Sequence, residues 1–226
     1  MSRRVALVTG ARGGIGAAIA ERLRTDGWEV HAVDLEDGDL STREGNRAVV
    51  DAALARFDGK LDAVVANAGF QHVAPIRDFP EEQWDKLQAL LLRSPFLLAK
   101  YAWDALAASG DGRFLAVASV HGLVASPFKA GYVAAKHGVL GLVKVLALEG
   151  AEVGISASAI CPAYVRTAIV EGQLRDRSEE DLLSPQAVKR LLEPHEVAAA
   201  AAWLLGPEGR SVTGAPLVMD LGWTSR

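Results

Sequence analysis

Three side chains in the middle of the chain have the types and spacing for proton transfer. Tyr132 and Lys136 stand four residues apart in Tyr132-Val133-Ala134-Ala135-Lys136. Val133, Ala134, Val139, Leu140, Leu142, Val143, Leu146 and Leu148 around them predict a buried helix over about 131 to 149. At that spacing the ammonium sits near the phenol and favours phenolate, so the tyrosine pKa is expected to be lowered toward the range useful for acid–base work. Ser119, at the end of an apolar run, can hold the oxygen that is protonated. A tyrosine and a lysine one turn apart also arise without function, so the elements that position them decide.

With 226 residues, 50% of them hydrophobic and 23% charged, the chain can bury a sizeable core as one domain spanning residues 1–226. The net charge of -4 is spread over interspersed residues, which gives no surface for nucleic acid or an anionic membrane. Cys161 is the single cysteine, so no internal disulfide forms, and without a Cys/His cluster no metal site is expected. Met1-Ser2-Arg3-Arg4 leads straight into a strand-like run, and no apolar run is read as long enough to span a membrane. These features predict a cytoplasmic protein with no membrane partner.

The first apolar run, Val5 to Val8, ends in Thr9-Gly10-Ala11-Arg12-Gly13-Gly14-Ile15-Gly16, after which Ile15, Ile19 and Leu23 recur at helical spacing. In this strand, turn and helix, Gly10 permits the tight turn, Gly14 lets backbone approach a pyrophosphate and Gly16 allows close helix packing. Asp34 follows the second strand, Glu29 to Val33, where a carboxylate can accept hydrogen bonds from an adenosine ribose and repel a 2'-phosphate. NAD is therefore expected over NADP, with Arg12 the one nearby cation that speaks for NADP. Between Asp34 and Leu61 there is room for one helix, about 42 to 57, and no strand. Leu61 to Ala66 is the next strand and delivers Asn67-Ala68-Gly69 to a cofactor crevice. A long helix over 81 to 109 contains Pro95, which has no N–H for the carbonyl of Leu91 and predicts a kink at 91 to 95. Strands over 112 to 118 and 155 to 160 deliver Ser119 and Cys161-Pro162-Ala163-Tyr164. The polar segment 165–193, with Arg175-Asp176-Arg177-Ser178-Glu179-Glu180-Asp181, reads as a mobile lid. A last helix from Pro194 to Leu205 and a strand from Pro216 to Met219 complete an α/β chain. The expected fold is a single Rossmann-type doubly wound parallel sheet of six strands with helices on both faces.

Taken together, Thr9 to Gly16, Asn67-Ala68-Gly69, Ser119, and Tyr132 with Lys136 resemble the short-chain dehydrogenase/reductase family along nearly the whole chain. Asn67 to His72, Ser119 to Ser126, Tyr132 to Val139, Ala159-Ile160-Cys161-Pro162 and Gly222-Trp223-Thr224 resemble its 3-hydroxybutyrate dehydrogenase branch. The resemblance implies an NAD-dependent oxidoreductase, assembled as a homotetramer or dimer through the helices around 81 to 109 and 132 to 149. Tyr132 would exchange the hydroxyl proton, Lys136 would hold the nicotinamide ribose and Ser119 would orient the substrate. It implies that Gly10, Arg12, Gly14, Ile15, Gly16, Asp34, Asn67, Ala68, Gly69, Pro162, Val165 and Thr167 contact the cofactor along with Tyr132 and Lys136. Gln71, His121 and Lys129 would grip a small carboxylate, with Gln173 closing from the lid.

Some positions depart from the family pattern. Leu91 stands where the family has an asparagine whose carbonyl supports a proton-relaying water. The short 34–61 interval lacks the usual helix and edge strand, leaving Leu35, Asp39 and Leu40 to cover adenine. Tyr164 stands where the hydroxybutyrate enzymes carry a tryptophan. The leading reading is interconversion of a small 3-hydroxy acid and its 3-keto acid, (R)-3-hydroxybutyrate and acetoacetate first. Two alternatives stay open: turnover of another alcohol, ketone or dihydrodiol, and a cofactor-binding protein whose turnover Leu91 impairs.

Overall fold

Apolar runs that do not alternate make strands buried on both faces, and such strands belong in a parallel sheet covered by helices on each side. In the computed structural model, which describes residues 3–175 and 178–225, these runs fold as expected. The elements in chain order are β1 (Val5–Thr9), α1 (Gly14–Thr25), β2 (Glu29–Val33), α2 (Arg43–Arg56) and β3 (Ala63–Ala66). There follow α3 (Glu81–Gln88), α4 (Ser94–Ala108), β4 (Gly112–Val117), α5 (Ala130–Gly150) and β5 (Ile155–Pro162). The chain ends with α6 (Ala168–Gln173), α7 (Glu179–Leu183), α8 (Pro194–Leu205) and β6 (Pro216–Met219). Six strands form one all-parallel sheet in the order β2-β1-β3-β4-β5-β6. One core, on the face covered by α2, α4 and α5, holds Leu7, Val64, Phe114, Leu98 and Val143. The opposite core, under α1 and α8, holds Val8, Val65, Leu115, Ile19 and Leu204. The order reverses between β1 and β3, and the crevice at their carboxyl ends is where a doubly wound sheet binds ligands.

The kink expected at 91 to 95 takes the form of a π-helical turn over Ala89–Arg93, in which Ser94 N–H donates to the Ala89 carbonyl. A π turn inserts one residue into the helix, so α4 starts afresh with Pro95 in its first turn, where a missing N–H costs nothing. The helix α5 with the turn after it, Ala130–Val153, is long and apolar enough to cross a membrane by length and composition. This corrects the expectation that no such run exists. Its apolar side chains, Val139, Val143 and Leu146 among them, are packed in the core, as in the central helix of a folded domain.

The stretch expected to be a lid makes contacts with the rest of the fold. Val165 bridges Leu192 in parallel register, and Tyr164, Val170, Leu182, Leu183 and Leu191 form a small apolar cluster with Leu174 and Trp223. Asp176 and Arg177 of the polar run, Met1 and Ser2 of the amino-terminal stretch, and Arg226 lie outside the described residues.

The shortened 34–61 interval is a turn followed directly by α2. Thr42 caps the helix, accepting from Gly45 N–H at 3.0 Å. One buried amide then locks the turn in place. Asn46 Nδ2 donates to the carbonyls of Leu40 (2.7 Å) and Thr42 (2.6 Å), and Asn46 Oδ1 accepts from the Ser94 hydroxyl at 2.7 Å. Removing this amide leaves the Leu40 carbonyl and the Ser94 hydroxyl unpaired and takes from the Thr42 carbonyl one of its two donors, the other being Asn46 N–H at 3.4 Å. Asn46→Ala should therefore lower the unfolding free energy in urea titrations by about 3 kcal/mol.

Candidate active site

The site is a cleft of about 720 Å³ along the carboxyl ends of the strands. At one end lies the glycine turn. Gly10 and Gly14 take left-handed backbone conformations, with φ of 63° and 53°. A Cβ on Gly16 would come within 2.1 Å of the Gly10 carbonyl, so the helix can approach the strand this closely only without a side chain. Gly13 caps α1 with no side-chain hydrogen bond, and the first turn contains no acidic residue. The free N–H groups and the positive end of the helix dipole thus face the cleft, which suits a pyrophosphate. The residues present fit a dinucleotide.

Asn67 does more than line this crevice. Its side-chain amide donates to the carbonyls of Thr9 (2.9 Å) and Gly10 (3.1 Å), fastening the end of β3 to the turn after β1. Asp34 lines the cleft, and its carboxylate accepts from Arg12 N–H at 3.0 Å and Leu35 N–H at 2.8 Å. Gly14, Ile15, Leu35, Asp39, Leu40, Ala68, Gly69, Pro162, Val165 and Thr167 line the cleft. Two expected cofactor residues do not. The Arg12 side chain pairs with Glu36 at the surface, which leaves Asp34 and Asp39 as the acidic groups lining the cleft, and Gly16 is spent on helix packing.

At the other end of the cleft the proton-transfer residues meet. Ser119, at the end of β4, and Gln71, in the loop after β3, both hydrogen-bond the phenol of Tyr132. Lys136 Nζ donates to the Val117 carbonyl at 2.7 Å and lies 5.6 Å from the centre of the Tyr132 ring. Burial pushes the Lys136 ammonium down to about 8. The Tyr132 phenol departs from expectation. Burial raises its pKa, and this outweighs the hydrogen bonds from Ser119 and Gln71 that lower it. The expected lowering by Lys136 is corrected on physical grounds: the ammonium is directed at a backbone carbonyl and is itself partly discharged by desolvation. Tyr132 in this state is a proton donor.

Facing the phenol is an aromatic and cationic wall. The His121 ring stands edge-on to Trp223 at 5.3 Å, Tyr132 at 6.1 Å and Tyr164 at 6.5 Å. Lys129 is buried behind His121 and does not line the cleft, a second correction. Its ammonium lies 3.3 Å from His121 Nε2 and 5.3 Å above the Tyr164 ring. A lysine can only donate, so His121 Nε2 accepts and the imidazole is neutral with its proton on Nδ1. Burial first, and then the Lys129 charge, push His121 down to about 4. Gln173, from α6, donates to Gln71 Oε1 at 2.7 Å and so joins α6 to the phenol's own partner.

Sequence reasoning missed Trp223, Lys86, Leu90, Phe70 and Ile169, which also line the cleft. Only Trp223 carried a signal, because Asp220 in Asp220-Leu221-Gly222-Trp223 binds the N–H groups of Gly222 and Thr224 in the turn that presents the ring. Leu91 is buried under Gly69, where a Cβ would meet its Cδ2 at 2.8 Å, and packs with Leu87 and Ala135. The position is thus a filled apolar site.

Residues 36–224 match the family model described as enoyl-(acyl carrier protein) reductase. Among curated proteins, the chain is 38% identical to the D-beta-hydroxybutyrate dehydrogenase of Rhizobium meliloti over 256 positions, covering 99% of each chain. It is 37% identical to the enzyme of the same name from Cupriavidus necator, and 38% identical to an uncharacterized oxidoreductase of Bacillus subtilis, YxjF, each covered end to end.

The wall's electrostatics can be measured. In an NMR pH titration the His121 imidazole should protonate near pH 4, whereas exposed histidines titrate at roughly 6.5. Between those values an unfolded chain holds a proton that the folded one does not. Stability from this site is therefore complete above about pH 6.5 and is lost progressively toward pH 4. A His121 titration midpoint above 6 contradicts the buried neutral pair with Lys129.

Proposed function

Because the chain belongs to the short-chain dehydrogenase/reductase family, whose members are oxidoreductases, we propose that it interconverts a small 3-hydroxy acid and its 3-keto acid with NAD. The pair (R)-3-hydroxybutyrate and acetoacetate is the first candidate. The observation that carries this reading is the polar pocket at one end of the cleft. There a proton-donating Tyr132, held by Ser119 and Gln71, faces a neutral histidine backed by a buried ammonium. A small anion seated against this wall gains a hydrogen bond from Gln173, and the Lys129 charge acts on it through the low-dielectric His121 ring. The two relatives named for D-beta-hydroxybutyrate support the same substrate class.

When bound, NAD supplies the hydride acceptor and NADH the donor. The chain supplies the proton and the geometry. For reduction, Ser119 holds the carbonyl oxygen, the Tyr132 phenol delivers its proton there, and Gln71 keeps the phenol in place. For oxidation the Tyr132 oxygen must first be deprotonated, and the phenolate then takes the hydroxyl proton. Lys136, fixed by the Val117 carbonyl, sets a positive charge beneath the phenol wherever the pH leaves it protonated. Asp34 offers a carboxylate to a ribose diol and opposes a 2'-phosphate, which supports NAD over NADP. The exposed Phe96 of α4 and Val145 and Leu148 of α5 support a homo-oligomer assembled through these helices.

A screen of short 3-hydroxy acids, each enantiomer with NAD and with NADP, tests the reading. Turnover is expected with NAD, and the methyl ester should be rejected strongly because the buried polar wall is then left without its anion. Turnover of neutral alcohols in preference to acids overturns it. Tyr132→Phe should lower kcat/KM by about 100-fold or more while NADH binding, followed by fluorescence, is unchanged. The rate of acetoacetate reduction should be level near neutral pH. It should fall as pH rises through about 8, where Lys136 loses its proton.

A further inference from the structure

The sheet has one edge that is open and short. Glu29 N–H donates to the Arg4 carbonyl at 2.9 Å, and the Val33 carbonyl accepts from Ala11 N–H at 3.1 Å. Residues 29, 31 and 33 of β2 therefore turn their backbone polar groups toward β1. By the alternation of a strand, Val30 and Ala32 turn theirs outward, and no hydrogen bond reaches those groups among the described residues. Asp34 N–H is already held by the Asp37 carboxylate at 2.9 Å, so the free edge is two residues long and closed at its end. Exposed edges are ordinarily guarded by proline, lysine or a bulge. The opposite edge strand, β6, begins with Pro216, whereas Glu29-Val30-His31-Ala32-Val33 has neither proline nor lysine. The alignments with the relatives span 256 and 257 positions against 226 residues here, so the relatives carry a stretch that this chain lacks.

We propose that β2 pairs with β2 of a second copy, antiparallel about a two-fold axis through His31, joining two sheets edge to edge. In this register Val30 faces Ala32 of the second copy and exchanges both backbone hydrogen bonds with it. The symmetry repeats the exchange at Ala32, so every outward group finds a partner. Charge favours a copy of the same chain. Asp37 follows the carboxyl end of β2, and Arg56 closes α2 on the side where the strands begin. Both charges act on His31, which also meets Phe57 edge-on at 6.5 Å. Reversal about the axis carries Asp37 of each copy toward Arg56 of the other, which places opposite charges on both sides of the junction. At the axis the two imidazoles meet, and burial together with Arg56 lowers the pKa of His31, which favours the neutral ring that such a meeting requires. The interface lies away from the helical faces of α4 and α5, so it adds to any assembly formed there.

Light scattering and amide hydrogen exchange on the full chain test this. Proline at position 32 removes only an outward N–H, and an edge strand tolerates it there. Ala32→Pro should halve the particle mass relative to the wild type, whatever the helical faces assemble. Exchange at Val30 should rise at least tenfold in the same variant. Arg56→Glu, on the exposed side of α2, should dissociate the junction in the same direction and carries the test if Ala32→Pro does not fold. Equal masses for the wild type and Arg56→Glu, with rapid exchange at Val30 and Ala32 in the wild type, overturn the proposal. A strand from another protein as the natural occupant leaves the purified wild type at the lower mass with fast exchange, and overturns it equally.

Discussion

The site depends on how the carboxyl ends of β1 and β3 are held. A parallel sheet opens a crevice where its strand order reverses, but an open crevice has two strand ends with nothing between them. Thr9 and Asn67 close that gap with polar groups. The Thr9 hydroxyl accepts from the N–H groups of Asn67 and Ala68 at 3.0 and 3.2 Å and reaches the Val65 carbonyl at 3.3 Å. The Asn67 amide answers with two bonds to the turn after β1. Thr9 is buried, and a hydrogen bond within a low-dielectric interior is costly to break once its partners cannot reach water. The glycine turn is thereby fixed against α1, and Gly69 is set over Leu91. The wall that begins at β3 and the wall that begins at β1 are thereby joined by five hydrogen bonds.

Burial acts in one direction on the chemistry that this frame supports. It raises the phenol of Tyr132, lowers the ammonium of Lys136 and lowers the imidazole of His121, each toward its neutral form. The thiol of Cys161, pushed up to about 11 by burial, follows the same rule. An arriving anion is then met by fixed dipoles and by the buried ammoniums of Lys129 and Lys136, the latter still largely protonated near neutral pH, with little reorganisation, which is the condition under which such contacts favour a transition state.

Much of this was legible in the sequence because it is local. Non-alternating apolar runs identify the strands, the glycine spacing identifies the first turn, and the short interval after Asp34 predicts six strands, as found. The misses share a cause, which is that they depend on what lies across the fold. The spacing of Tyr132 and Lys136 gives their separation along the helix, but the Val117 carbonyl that receives the ammonium comes from β4. The pKa of Tyr132 follows from desolvation by its neighbours, and no pattern within one helix reports that. Lys129 reads as a loop cation and is instead buried behind His121. Pro95 predicts a break, yet whether a helix bends or inserts a π turn is decided by the packing of Leu87 and Leu91 against α5.

The shortened interval shows how a local loss is distributed through the structure. Without a further strand, β2 must end its ladder against solvent, and the turn after it must reach α2 in a few residues. The polar groups freed by that route are taken up one at a time: Asp37 holds Asp34 N–H, the Asp39 carboxylate holds Ser41 N–H at 2.8 Å, and Asn46 takes the carbonyls of Leu40 and Thr42. Arg93, at the end of the π turn, reaches the Ser41 carbonyl at 2.5 Å. Leu40 is thereby driven into the core while Leu35 remains exposed. The adenine end of the cleft is thus built from a turn held by its own side chains, while Val30 and Ala32 keep outward backbone groups on the edge of β2.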